Sequence, residues 1–206
     1  MPSHSMKRWA RNLAAPVGGG LARIGVSANA VTLSGLLFAA ACGFFLGRGD
    51  YAAGLACLLA SSLCDLLDGA VARSRGRGGS PLGATLDSAV DRYGEAMILT
   101  GVLVDGVLHR DQGETFLWLW SLALAASFLT SYVRARAEGL GFRCEVGLLE
   151  RPERLALIGL LCVIGPRAAM WILGALAVGG HITVVQRILH LRREARLSHP
   201  DRGPES

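Results

Sequence analysis

Asp65, Asp68, Asp87 and Asp91 stand between two apolar stretches, YAAGLACLLASSL before them and AMILTGVLV after. The first pair is spaced i, i+3 and the second i, i+4, so on helices each pair shares a face. Between the pairs lies RSRGRGGSP, a turn by composition. Two helices joined by such a turn run antiparallel, and both pairs then open on one space. Carboxylates crowded into a low-dielectric pocket cannot all ionise unless cations offset them. Oxygen-only donors suit the hard ions Mg²⁺ or Mn²⁺, and four carboxylates suit two such ions. A pair of ions is a device for displacement at phosphorus. A group of membrane acids also serves as a cation path or proton relay, and the acids alone leave both open.

The neighbouring residues favour the first chemistry. Gly69, Ala72 and Gly83 are small at regular offsets and leave room for something bulky against the backbone. Arg73 places a cation at the mouth, suited to a phosphate. Glu95 extends the face of Asp87 and Asp91 by another turn, either as support for the acids or as a partner for Arg92. Asp105 belongs to the other end of its helix, where solvation is expected.

The elements that must hold these residues are apolar. The chain has 206 residues, of which 51% are hydrophobic, and its mean hydropathy is +0.41. That suits a multi-spanning membrane protein better than a soluble domain. Asn29–Gly47, Thr115–Val133 and Ala168–Gln186 are free of charge and approach the ~20 residues that a span needs. Tyr51–Cys64, Ala96–Val104 and Leu155–Pro166 are shorter or interrupted. Together they predict an all-α integral membrane fold of six transmembrane helices. The net charge of +5 comes from arginines and one lysine. With both termini cytoplasmic, the loops on the other side hold only Arg48, Arg110 and Arg167, an asymmetry that the positive-inside rule supports. The active site is then cytoplasmic too, in a multi-pass protein of the cell membrane. Charge set between apolar spans argues against a nucleic-acid partner. The cysteines read as core residues, and the histidines are scattered without metal-ligand spacing.

Residues 1–28 read as a cytoplasmic, amphipathic interfacial segment, broken by Pro16 and the Gly18–Gly20 run. Residues 29–190 form the six-helix domain, and residues 191–206 a polar cytoplasmic tail expected to be disordered.

Asp65-Leu-Leu-Asp68-Gly69-Ala-Val-Ala72-Arg73, followed by Gly83-Ala-Thr-Leu-Asp87-Ser-Ala-Val-Asp91, resembles the DxxDGxxAR…GxxxDxxxD pattern of the CDP-alcohol phosphatidyltransferases. The gap between Arg73 and Gly83 is one residue longer than the family's commonest spacing and falls in the turn. SANAVTLSG before the first span is similar to the family's TPNxxT start. The resemblance implies transfer of a phosphatidyl group from a membrane-bound CDP-lipid to an alcohol, with release of CMP. It implies metal binding by Asp65, Asp68, Asp87 and Asp91, with Asp91 also the general base. It implies a CDP-lipid site lined by Gly69, Ala72, Arg73 and Gly83, and a homodimer.

The acceptor is approached through arginines. Arg134 lies near the end of a long uncharged span, where a cation is poorly solvated. Pro152 fits a first helical turn and puts Arg154 at a helix N-terminus, suited to an anion. Arg187 is a third cation at an inner helix end. Three arginines suggest an acceptor that itself carries phosphate. SYVRARAEGLG…GLLERPERL with the later VVQR is similar to the branch that uses inositol 1-phosphate, which implies phosphate binding by Arg134, Arg154 and Arg187. Glycerol 3-phosphate is the alternative acceptor, and a small cation transporter the alternative of a different class.

Overall fold

The computed structural model describes residues 4–74 and 80–198 and is helical throughout its regular structure. The helices are α1 (His4–Arg23), α2 (Ala28–Gly47), α3 (Tyr51–Ser74), α4 (Pro81–Leu108), α5 (Glu114–Gly139), α6 (Arg151–Ile164) and α7 (Ala169–Ser198), with a 3₁₀ turn at Pro166–Ala168 before α7. Among the described residues four stretches are long and apolar enough to cross a membrane: Ala28–Gly47, Tyr51–Ser74, Glu114–Gly139 and Pro166–Leu197. The protein is therefore an all-helical membrane protein. α4 carries Asp87, Asp91, Arg92 and Glu95, and α6 has only 14 residues. Neither meets the same standard.

The chain divides into two compact units, Met1–Asp111 and Gln112–Ser206. In the first, α2 packs on both α3 and α4, and α1 packs on α3. Local chemistry starts the helices. Ser27, in extended conformation, accepts a hydrogen bond from the Ala30 amide and caps α2. Ser80 does the same for α4 through the Gly83 amide at 3.0 Å, and Pro81 follows in the first turn. The α2–α4 contact is so close that a methyl group on Gly101 would strike the backbone of Gly43, and one on Gly43 would strike the Met97 carbonyl. Small residues that let backbones meet are how helices associate where lipid removes the hydrophobic drive.

α1 departs from expectation. Pro16 and the Gly18–Gly20 run do not break it; one helix runs from His4 to Arg23. Proline within a helix costs about 3 kcal/mol, and packing on α3 offsets it. Ala14 and Gly18 are buried, and a methyl group on Gly18 would stand 2.5 Å from the Ala70 Cβ. Glycine there is a contact surface rather than a break.

Asp105 is also corrected. It is buried rather than solvated, and Tyr51 donates to its Oδ2 at 2.6 Å. Arg110 Nε donates to the same oxygen at 3.2 Å, and His109 lies 3.4 Å from Oδ1. The start of α3 and the end of α4 are clasped by this carboxylate, which is why a charged group is tolerated there.

In the second unit α5 packs on α7, and α6 on α7. Phe116, Ala126, Ile158, Leu161 and Leu173 form its core. α7 continues to Ser198, past the expected start of a polar tail at residue 191. LRREARL consists of strong helix formers, so nothing local ends the helix there. Residues 199–206, the remainder of that tail, and residues 75–79, most of the expected turn, lie outside the described residues.

Candidate functional site

The acidic cluster belongs to the first unit. Asp65 and Asp68 come from α3, Asp87 and Asp91 from α4, as their spacing requires. Asp68 is the most buried, at 8% exposure, and the carboxylates of Asp65 and Asp87 both act on it through space. Asp65 and Asp87, from two helices, thus lie within electrostatic reach of Asp68. Asp91 lies one turn beyond Asp87, mostly buried, with its Oδ2 3.5 Å from Arg92 Nη1. Arg92 also donates to the Ser88 carbonyl at 2.7 Å. Glu95 is buried on the same helix.

Asp68 has a partner that sequence reasoning missed. Thr32 on α2 donates its hydroxyl to Asp68 Oδ2 at 2.7 Å, and both groups are buried. Asn29, one turn earlier, stands beside Gly83: a methyl group there would be 3.5 Å from Asn29 Oδ1 and 3.1 Å from Ser80 Oγ. The start of α2 therefore forms a wall of the acidic site. The only trace of this in the sequence was SANAVT, which the pattern likeness singled out without assigning it a role.

The small residues behave as their size suggested. A methyl group on Gly69 would stand 3.0 Å from Arg73 Nη1, so the exposed Arg73 side chain folds back over Gly69. Ala72 and Gly83 are half-buried. Among the described residues, no three His, Cys, Asp or Glu side chains are drawn up into a group that could hold a metal ion as they stand. Thr32 holds one oxygen of Asp68. The donor set itself is all oxygen, gathered from two helices around a buried carboxylate, and that chemistry fits a hard divalent cation.

The basic cluster belongs to the second unit. Arg154 and Arg187 are each only 3% exposed. Arg154 lies in the first turns of α6, whose start at Arg151 with Pro152 next matches expectation. Its Nη1 donates to Thr130 Oγ1 at 3.2 Å and to the Leu149 carbonyl at 3.3 Å. Arg187 donates through Nη1 to the Thr130 carbonyl and through Nε to the Val146 carbonyl at 2.8 Å. The charges of Arg134 and Arg154 both act on Arg187. Arg134 is more open, 41% exposed, and its Nε donates to Glu138 at 2.8 Å. All three predicted arginines are brought together, two as buried groups and one at the edge.

The loop between α5 and α6 is stapled to α7 beside them. Thr183 Oγ1 accepts from the Leu149 amide and Gln186 Oε1 from the Leu148 amide, each at 2.9 Å. Gly147, at φ +149°, lies against Thr183, where a side chain would be both strained and blocked. Thr130 and Thr183 carry no sequence signal beyond being polar within apolar helices, and Gln186 stands in VVQR without a role of its own.

Comparison with known proteins adds an independent line. Residues 25–183 match the sequence profile described as CDP-alcohol phosphatidyltransferase. An archaetidylinositol phosphate synthase of Methanothermobacter thermautotrophicus is 38% identical over 173 residues, covering 82% of this chain and 85% of that protein. A phosphatidylinositol phosphate synthase of Mycobacterium tuberculosis is 36% identical over 200 residues, covering 91% and 89%. Crystal structures of the M. tuberculosis synthase are similar in fold. The one with CDP-DAG bound superposes with a TM-score of 0.79 at 31% identity, covering 87% of this chain and 94% of that one. The one in complex with manganese and citrate gives 0.77 at 33% identity, covering 87% and 88%.

Proposed function

The chain belongs to the CDP-alcohol phosphatidyltransferase family, and from that premise we propose that it transfers the phosphatidyl group of CDP-diacylglycerol to inositol 1-phosphate, releasing CMP. The observation that carries the choice of acceptor is the buried meeting of Arg154 and Arg187 at Thr130, with Arg134 at its edge. Guanidinium groups gathered inside a helical unit suit a ligand that brings its own negative charge. An unphosphorylated alcohol would bring no anion to that cluster.

Asp65, Asp68, Asp87 and Asp91 are the residues that would hold two divalent ions, Mg²⁺ or Mn²⁺. Bound there, the ions would neutralise the diphosphate of the CDP-lipid and stabilise the departing CMP. Gly69, Ala72 and Gly83 offer bare backbone to the nucleotide, and Arg73 folds over that surface as a cation for its phosphate. Arg134, Arg154 and Arg187 bind the acceptor phosphate and so orient the alcohol. Asp91 takes the proton of the attacking hydroxyl, which makes the oxygen a competent nucleophile. The role of Asp91 as base, its share in metal binding and the count of ions follow from the family pattern and from its place one turn beyond Asp87.

In the membrane, α2 to α7 would make six spans with both ends and the active site on the cytoplasmic side, a reading supported by the arginine asymmetry. Exposed Trp118 and Trp171, near the starts of α5 and α7, suit the opposite interface. α1 would lie at the inner interface, with Leu13 and Val17 exposed on the flank not packed against α3. A homodimer is part of the same reading.

The test is an acceptor screen with the purified protein, CDP-diacylglycerol and Mn²⁺ or Mg²⁺, following release of CMP. Inositol 1-phosphate is expected to support turnover well above free inositol, glycerol 3-phosphate and serine. Fastest turnover with glycerol 3-phosphate would reassign the acceptor to phosphatidylglycerophosphate synthesis. No CMP with any alcohol would remove the transfer reading.

A further inference from the structure

We propose that Thr130 is a positioning residue that presets the acceptor-phosphate arginines, through its hydroxyl for Arg154 and its carbonyl for Arg187. The inference rests on the acceptor reading above and deepens it. Thr130 is fully buried, on the third-to-last turn of α5. Its hydroxyl donates to the Ser127 carbonyl at 2.9 Å. A hydroxyl has one proton, and that bond uses it, so the oxygen presents only lone pairs to its other neighbours. Arg154 Nη1 takes one of them at 3.2 Å. The direction of the contact is thereby set: Thr130 Oγ1 accepts from the guanidinium and has no proton with which to compete for it.

The same residue's carbonyl accepts from Arg187 Nη1. Arg134 lies one turn further along α5, at i+4, on the same face. One residue thus contacts two of the cations and lies a turn from the third, and the charges of Arg134 and Arg154 both act on Arg187. Thr130, with the Val146 and Leu149 carbonyls, holds Arg154 and Arg187 in place through neutral oxygens. These acceptors fix the direction in which the two guanidinium groups point. The cost of gathering the charges is met in folding, so it is not charged against the acceptor when it binds.

The hydroxyl can be deleted separately. Thr130→Val keeps the branched shape and removes the acceptor, and Thr130→Ser keeps the acceptor. In the CMP-release assay with CDP-diacylglycerol and Mn²⁺, Thr130→Val is expected to raise the KM for inositol 1-phosphate about tenfold, in the range of one hydrogen bond to a charged group. The KM for CDP-diacylglycerol should stay within about twofold, which also shows that the variant is folded. Thr130→Ser should restore most of the acceptor KM. If Thr130→Val does not accumulate as a monodisperse protein, Thr130→Ala makes the same deletion with less bulk and is read the same way. An unchanged acceptor KM, equal increases in both KM values, or failure of Thr130→Ser to recover it would each overturn the positioning role. A wild-type protein that uses no phosphorylated alcohol would instead overturn the acceptor reading beneath it, so the two failures are told apart.

Discussion

Thr32 and Asp68 are joined across 36 residues by a 2.7 Å hydrogen bond in which the threonine hydroxyl donates to carboxylate Oδ2. The bond ties the first turns of α2 to the most buried acid of the candidate metal site. A hydrogen bond to a charged, buried group is worth about 1.5–3 kcal/mol. Thr32→Val is therefore expected to lower kcat/KM by about tenfold or more and to raise the Mn²⁺ concentration needed for half-maximal rate. Thr32→Ser should retain most activity. CMP release across a MnCl₂ titration reads both, and an unchanged metal requirement would reduce Thr32 to a packing residue.

Asp91 is assigned the proton of the attacking alcohol. Positioned general bases contribute about 10²–10⁴-fold, so Asp91→Asn should cut transfer by at least 10²-fold. Binding of CDP-diacylglycerol with Mn²⁺ should survive within a few-fold, because the other three aspartates remain. Equilibrium binding beside single-turnover rates separates the two effects. Near-normal turnover in this variant would mean that another group takes the proton.

The placing of the candidate residues on their helices is legible in the sequence because helix periodicity maps spacing onto faces. Asp65 and Asp68, Asp87 and Asp91, and the Pro152 helix start all follow from offsets of a few residues. Partners supplied by distant segments do not. Thr32 meets Asp68, Tyr51 meets Asp105 and Thr130 meets Arg187 across dozens of residues, and a single sequence holds no measure of such pairings. Asp105 reads as solvated in the sequence because only its position near a helix end is visible there. Pro16 and Gly18 seemed to end a helix because local propensity favours a break, whereas the face that α3 offers to α1 decides otherwise.

The arginines should not contribute equally. Arg187 is 3% exposed and held by two carbonyls, whereas Arg134 is 41% exposed and paired with Glu138. Exposed pairs of that type are worth about 0–1 kcal/mol. Arg187→Ala is expected to raise the inositol 1-phosphate KM by more than about 30-fold, and Arg134→Ala by about fivefold or less. Initial rates over a range of acceptor concentrations decide this. Equal losses at both positions would show that exposure does not rank them.

The Tyr51–Asp105 clasp should matter to stability and not to chemistry. Tyr51 and Asp68 are 17 residues apart on one helix, about 25 Å along its axis. Tyr51→Phe removes one hydrogen bond to a buried carboxylate and is expected to cost about 1–3 kcal/mol. The thermal midpoint in detergent should fall by several degrees, with kcat/KM per folded molecule within about twofold of wild type. A kinetic defect in fully folded protein would point to coupling along α3.

Adjacent glycines on α1 offer the sharpest test of how that helix is held. A methyl group on Gly18 would stand 2.5 Å from Ala70 Cβ and 2.8 Å from its carbonyl carbon, whereas one on Gly19 meets nothing within 4 Å. Gly18→Ala must push α1 away from α3, at the about 1–3 kcal/mol typical of overpacking. Gly19→Ala adds no clash and replaces the residue that loses most entropy in a helix, for a gain of about 0.5–1 kcal/mol. The two substitutions are chemically identical and neighbouring, so propensity alone predicts the same shift for both. Thermal midpoints moving in opposite directions would establish packing on α3 as what carries the helix through Pro16. Matching stabilisation at both positions would show that α1 is not seated against Ala70.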